Sequence, residues 1–223
     1  MARATRQSPE RGEARTRLLD AARDAIRARG FAATSVDDLC RAAGVTKGAF
    51  FHHFKSKDDL GAAAARHWSA VTGALFASAP YHQPDDPLDR VLAYLDFRKA
   101  LLTGDAPDYT CFAGTTLQET FATHPDIGAA CFDSIAGHAG TLVPDFEEAL
   151  AKYPPEDSWT AQGLALHTQA VLQGAFILAK GGRDSALAAA SIDHLRNYFT
   201  LLFRRPSGQR TPRVRSRSTR ASA

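Results

Sequence analysis

Cysteine is scarce in this sequence, and none of it is spaced for chemistry. Cys40, Cys111 and Cys131 are an odd number without a CxxC pair, which argues against a disulfide framework and a structural zinc site and suits a reducing cytoplasm. Long apolar runs are missing too. The most apolar stretch, residues 161–179, is interrupted by Gln162, His167, Thr168, Gln169 and Gln173, as in a buried bundle helix rather than a membrane span. Residues 1–17 are polar and arginine-rich, unlike a secretory leader. No run alternates apolar and polar residues for long enough, with β-branched enrichment, to make a strand. HExxH, a P-loop, GxSxG and a dinucleotide fingerprint are all lacking, and the eight histidines are scattered; neither an enzyme nor a bound cofactor or metal is expected.

Charge of one sign is missing locally rather than globally. The net charge is +3, yet residues 1–57 hold 12 Lys/Arg against six Asp/Glu, residues 58–203 hold eight against 18, and residues 204–223 hold seven arginines and no acid. Two basic ends flank an acidic body. A polyanion would be drawn to the ends and repelled by the middle, which points to nucleic acid, although a solvated basic face gives the same pattern. The final 20 residues are almost devoid of apolar side chains and read as a disordered basic tail.

What is present is helical periodicity, so the class is all-α. Leu18, Leu19, Ala22, Ala25 and Ile26 form one stripe of a first helix that ends at Gly30-Phe31. Ser35 precedes Val36-Asp37-Asp38 as an N-cap with early acids, and Gly44 can close that helix in the left-handed conformation. Thr46 caps a third helix, on which Phe50 and Phe54 at i and i+4 face the core. Ser56 caps a fourth helix reaching about residue 78. Further helices are read over 88–103, 110–123, 126–152, 158–181 and 184–203, about nine in all. The expected organisation is a DNA-binding domain over 1–57, a ligand-binding and dimerisation domain over 58–203, and the tail over 204–223.

The stretch TSVDDLCRAAGVTKGAFFHHFKSKDDL, residues 34–60, thus encodes two short helices held by a tight turn, the second carrying cations and aromatics outward. A helix-turn-helix that reads the DNA major groove needs this arrangement. Lys47 can reach a guanine edge or phosphate, Gly48 and Ala49 permit close approach, and His53, Lys55 and Lys57 fall where phosphates pass. Helix one with Gly30-Phe31, Thr34-Ser35, Ala43-Gly44-Val45, Lys47-Gly48, His53-Phe54 and Lys55-Ser56-Lys57 resembles the DNA-binding domain of the TetR family of transcriptional regulators, over about residues 13–60. The resemblance implies a homodimer on a palindromic double-stranded operator, released by a small-molecule effector. It implies DNA contact by Thr34, Ser35, Thr46, Lys47, Gly48, Ala49, Phe51, His53, Lys55 and Lys57. Phe51 departs from the family, which usually places there a tyrosine whose hydroxyl bonds a phosphate.

In such a family the C-terminal helices hold the effector pocket and the dimer interface. Trp68, Phe76, Phe97, Phe112, Leu117, Phe121 and Phe132 offer apolar walls, with Thr115, Gln118, His138, His167 and Gln173 to orient a ligand; a packed core would use the same aromatics. A DNA-binding regulator without an effector would have that filled core. Cys111 sits at a helix start, where the macrodipole favours thiolate. Cys111-Phe112-Ala113-Gly114-Thr115 with Gln118-Glu119 is similar to a subgroup of the family in which some members sense electrophiles or oxidants. Gly163, Ala170, Gly174 and Ala175, with the stripe Ile192, Leu195, Phe199 and Leu202, are the expected dimer face.

Overall fold

The computed structural model describes residues 9–204; the first eight residues and the basic tail beyond Arg204 lie outside the described residues. The described part is all helical. Eleven α-helices run in order: α1 (Pro9–Arg29), α2 (Val36–Ala43), α3 (Lys47–His53), α4 (Lys57–Ala77), α5 (Pro87–Ala100), α6 (Ala106–Tyr109), α7 (Phe112–Thr120), α8 (Pro125–Gly140), α9 (Val143–Lys152), α10 (Ala161–Gly182) and α11 (Ser185–Leu202). A short 3₁₀ turn, Pro80–His82, separates α4 from α5.

Nine helices become eleven for two reasons. The run read as one helix over 126–152 breaks at Thr141-Leu142, where Pro144 enters the first turn of α9 and can donate no backbone bond to α8. The four-residue α6 arises because Asp105 and Asp108 satisfy each other's backbone in a capping box, with a proline at the helix start. That turn is too short to leave a periodic signature.

Two apolar cores result. Leu18, Leu19, Ala22 and Ile26 of α1 pack with Leu39, Phe50 and Phe54 and with Leu60 and Ala62–Ala65 of α4; Phe112, Ile127 and Cys131 close this core from the far side. The second core joins Phe76, Tyr81, Tyr94 and Leu95 to Phe146, Leu164, Leu172, Ile192, Leu195, Phe199 and Phe203. The long helix α4 contributes to both, its first half to one and Phe76 to the other. Among the described residues no helix is long and apolar enough to cross a membrane.

Candidate nucleic-acid interface and ligand cavity

The pair α2 and α3 is built by local chemistry that the sequence spells out. The Ser35 hydroxyl accepts from the Asp38 amide at 3.1 Å, and the Asp38 carboxylate accepts in return from the Ser35 amide at 3.1 Å. This reciprocal box satisfies two amides at the start of α2. Gly44 stands at φ 63°, ψ 40°, and the Val45 amide donates to the Cys40 carbonyl at 3.0 Å, so the chain reverses at once. The Thr46 hydroxyl then accepts from the Ala49 amide at 3.1 Å and starts α3. Phe50, wholly buried, and Phe54 anchor α3 in the first core; full burial of a phenylalanine side chain stabilises by about 1.5–3 kcal/mol.

The opposite side of α3 is open. Lys47, Gly48, Phe51 and His52 are exposed, and Ala49 and His53 are half-buried. Phe51 leaves 57% of its surface accessible and meets Phe50 edge-on, a position that packing does not require. The Lys47 ammonium lies 2.8 Å from Asp37 across the turn, so DNA would have to draw it from an exposed ion pair, a small cost. Ser35 and Thr46 are exposed with their hydroxyls spent on caps.

Two expected contacts have other work. Thr34 is 1% exposed and donates its hydroxyl to the Gly30 carbonyl at 2.8 Å, locking the corner between α1 and α2; its side chain is closed to a nucleic acid. Lys57 is half-buried, donates to the Phe31 carbonyl at 3.1 Å and lies 4.3 Å over the Phe31 ring. It serves that same corner. Lys55, by contrast, is exposed.

Behind this unit lies a cavity of about 580 Å³, within the range of small-molecule sites. Of the residues the sequence offered for a pocket, Trp68, Phe76, Cys111, His138 and Gln173 line it. Gln173 reaches across α7 because Gly114 lacks a side chain: a Cβ there would collide with the Gln173 Oε1. Gln169 donates to the Tyr94 hydroxyl at 3.1 Å, and that hydroxyl lies 2.9 Å from His138 Nε2. Burial, then the Arg98 charge, lowers the His138 pKa to about 4, so the ring is neutral near pH 7.

The other expected pocket residues lie elsewhere. Phe112 is fully buried in the first core and Leu117 is packed against it. Phe97 packs edge-on to Phe76 at 5.6 Å. Phe121 and Phe132 are 71% and 57% exposed, and His167 is an exposed ring edge-on to Tyr198. Thr115 accepts from Lys180 at 3.0 Å, and Gln118 turns back to the Gly114 carbonyl. Aromatic residues at helical spacing thus divide between core and surface according to which helix faces them, which a single sequence does not reveal.

The profile of bacterial regulatory proteins, tetR family, matches residues 18–64, the segment that forms most of α1, all of α2 and α3 and the start of α4. This segment is a DNA-binding domain of the TetR family. The chain's match to the regulator AcrR of Shigella flexneri is 43% identical but spans only 27% of each chain, whereas AcuR of Cereibacter sphaeroides matches at 26% over 66% of this chain and 67% of its own length. A TetR regulator from Chloroflexus aurantiacus shares the fold, with a TM-score of 0.75 at 24% identity over 86% of this chain and 97% of that one.

Three arginines that sequence reasoning did not single out complete the cavity. Arg23 and Arg27 come from α1 and Arg98 from the last turn of α5. The i, i+4 spacing of Arg23 and Arg27 was a usable signal, since both project from one helix face. Arg27 is 9% exposed, donates from Nε to the Thr110 carbonyl at 2.9 Å and lies 5.1 Å over the Trp68 ring. The first helix of the DNA-binding unit therefore forms part of the cavity wall.

The expected dimer stripe faces the other way. Ile192, Leu195 and Phe199 are buried in the second core, Ala175 is buried against Ala179 and Ala188, and Leu202 is half-buried. Gly163 and Ala170 are exposed and Gly174 is half-exposed. The apolar surface that α10 and α11 leave outside is instead Leu166, Ile177, Leu178, Leu187 and Leu201, of which Leu201 is 73% exposed.

Proposed function

We propose that this chain is a ligand-responsive repressor that binds a palindromic operator as a homodimer and leaves it when a small molecule fills the cavity. Residues 1–57 act as the DNA-binding unit, 58–203 as the effector and dimer unit, and the tail from 204 as a basic arm. The observation that carries this reading is the sharing of one wall: Arg23, Asp24 and Arg27 of α1 line the cavity together with Trp68, Leu75 and Phe76 of α4. A ligand there touches the helices on which the helix-turn-helix is mounted. A regulator without an effector would need no cavity at this junction. The dimer face assigned to it is the exposed apolar surface of α10 and α11, since such a patch is costly in a monomer and a two-fold partner matches a two-fold operator. Binding-site selection with the purified chain, then gel-shift on the selected duplex, tests the reading; recovery of a non-palindromic site bound by a monomer would reject it.

A second reading rests on Cys111. Its sulfur is the N-cap of α7, accepting from the Gly114 amide at 3.4 Å, and it is half-buried on the cavity wall, so an electrophile in the cavity would meet a thiol at a positive helix end.

A further inference from the structure

The cavity wall carries more cations than it neutralises. Its aspartates are engaged: Asp24 accepts from Arg23 at 2.7 Å, and Asp108 accepts from the Asp105 amide at 2.8 Å. Arg23 also pairs with Asp20. Arg27 is buried, gives Nε to the Thr110 carbonyl and lies over the Trp68 ring. Of the three arginines, Arg98 makes no hydrogen bond with the described residues. Its guanidinium carbon lies 5.1 Å from the Phe76 ring centre and 5.3 Å from that of Phe176, and it is half-buried. No carboxylate pairs with it, and no carbonyl accepts from it, among the described residues. The titratable neighbours on the wall supply no countercharge, because His138 is held neutral and burial raises the Tyr109 pKa.

Two rings hold this guanidinium in place without using its hydrogen-bond donors. A fixed, planar, unpaired fork matches the two oxygens of a carboxylate, which a lysine would not do. Around it the wall is neutral and amphipathic: Ser134 and Gln173 offer hydrogen bonds, while Trp68, Leu75 and Ile135 offer apolar surface.

We propose that the cavity takes a small organic monocarboxylate, its carboxylate on Arg98 and its apolar body against Trp68, Leu75 and Ile135. The proposal rests on the reading of this cavity as the effector site. A neutral isostere leaves the same guanidinium unpaired and is rejected for that reason.

Calorimetric titration of the full chain with hexanoate, benzoate, phenylacetate and 4-phenylbutanoate, each beside its primary amide, tests this. The expected result is that at least one acid binds about tenfold or more tightly than its amide. Arg98→Gln should lower that acid's affinity by about 10- to 100-fold, the range for losing a charge-assisted bond, and Arg98→Lys should retain part of it. The acid/amide comparison in the unaltered chain stands even where a variant fails to fold. Amides that bind as tightly as their acids, an Arg98→Gln chain that binds the acid unchanged, or no binding by any member of the panel overturns the proposal. The same acids are then added to chain bound to its selected operator duplex and followed by fluorescence anisotropy. Acids that bind through Arg98 without weakening the operator complex uphold the ligand class and reject the effector reading; neutral ligands that fill the cavity and release DNA do the reverse.

Discussion

Lys55 and Lys57 look alike in the sequence, but Lys55 is exposed and Lys57 is bonded within the fold, and one pair of substitutions tests whether their roles differ. Lys57 donates to the Phe31 carbonyl at 3.1 Å and stacks on the Phe31 ring at 4.3 Å. A hydrogen bond from a charged donor at a half-buried site contributes about 1–2 kcal/mol, and the cation–π contact about 0.5–1 kcal/mol. Lys57→Ala should therefore destabilise the chain by about 2 kcal/mol, which for a protein of this size lowers Tm by about 4–8 °C. Its effect on DNA should be a loss of affinity that is similar at all salt concentrations, since no phosphate contact is removed. Lys55→Ala should leave Tm unchanged and shallow the dependence of log affinity on log salt by about 0.9 for each protomer, or about 1.8 for a dimer. Calorimetric melting and anisotropy titrations from low to moderate salt on the selected duplex read both quantities. A Lys57→Ala chain with unchanged Tm and a shallower salt slope would refute the assignment of Lys57 to the corner between α1 and α2.

Phe51→Tyr should tighten operator binding by about 1 kcal/mol for each hydroxyl that reaches a phosphate, about fivefold per protomer, with no change in sequence preference; unchanged affinity would show that Phe51 does not face the backbone. Replacing Leu187 and Leu201 by glutamate should give a helical monomer by sedimentation, whereas a dimer that survives both changes places the interface elsewhere. His138 adds an acid-side instability: its pKa is about 4 in the fold against 6.5 in the open chain, so its contribution is intact above pH 6.5 and is lost as pH falls towards 4, by up to about 3 kcal/mol. His138→Gln should flatten that part of the pH–stability curve, and an unaltered curve would mean the ring titrates freely. If Cys111 is a sensor, a soft electrophile should label it before Cys40 and Cys131, which are buried and whose pKa values burial raises, the latter to about 12, and Cys111→Ser should keep DNA binding but lose release by the reagent; failure of the native chain to label at Cys111 would reject that reading.

The helix-turn-helix was legible because its signals are local. Ser35, Gly44 and Thr46 each determine a cap within four residues, and Phe50 and Phe54 point inward whatever lies behind them. The cavity and the exposed apolar surface of α10 and α11 were not legible in the same way, since they depend on which of several apolar helices is covered by which. Ile192, Leu195 and Phe199 form a clean stripe, but periodicity states only that a stripe is buried, and here α5, α9 and α10 bury it within one chain. Leu187 and Leu201 are solitary residues on the opposite side and leave no such pattern. Arg98 was hidden for another reason: beside Lys99 at a helix end it reads as an ordinary surface cation suited to the macrodipole, and only the approach of Phe76 and Phe176 from two other helices sets it apart. Thr34 and Lys57 show the converse case, motif positions whose side chains are bonded within the motif itself.

Release of DNA requires that the ligand bind one arrangement of the helices better than another, since an effector shifts an equilibrium only by its differential affinity. The corner between α1 and α2 shows where such a difference can be converted. It is held from α4 by Lys57 on the Phe31 carbonyl, from α7 by the Glu119 carboxylate accepting from the Ala32 amide at 3.0 Å, and from the start of α8 by His124 packed edge-on against Phe31 at 5.4 Å. One turn earlier, Arg27 ties α1 to the Thr110 carbonyl directly before Cys111. A ligand that displaces α4 or the start of α7 from the cavity side cannot do so without moving this corner or breaking one of these bonds. Each bond contributes on the order of 1–2 kcal/mol, comparable to the 1–3 kcal/mol or so that couples sites in regulators. On the proposed reading, the corner would be stiff enough to transmit the displacement and weak enough to be shifted by a ligand of ordinary affinity, so the orientation of α3 would be the quantity that cavity and operator share.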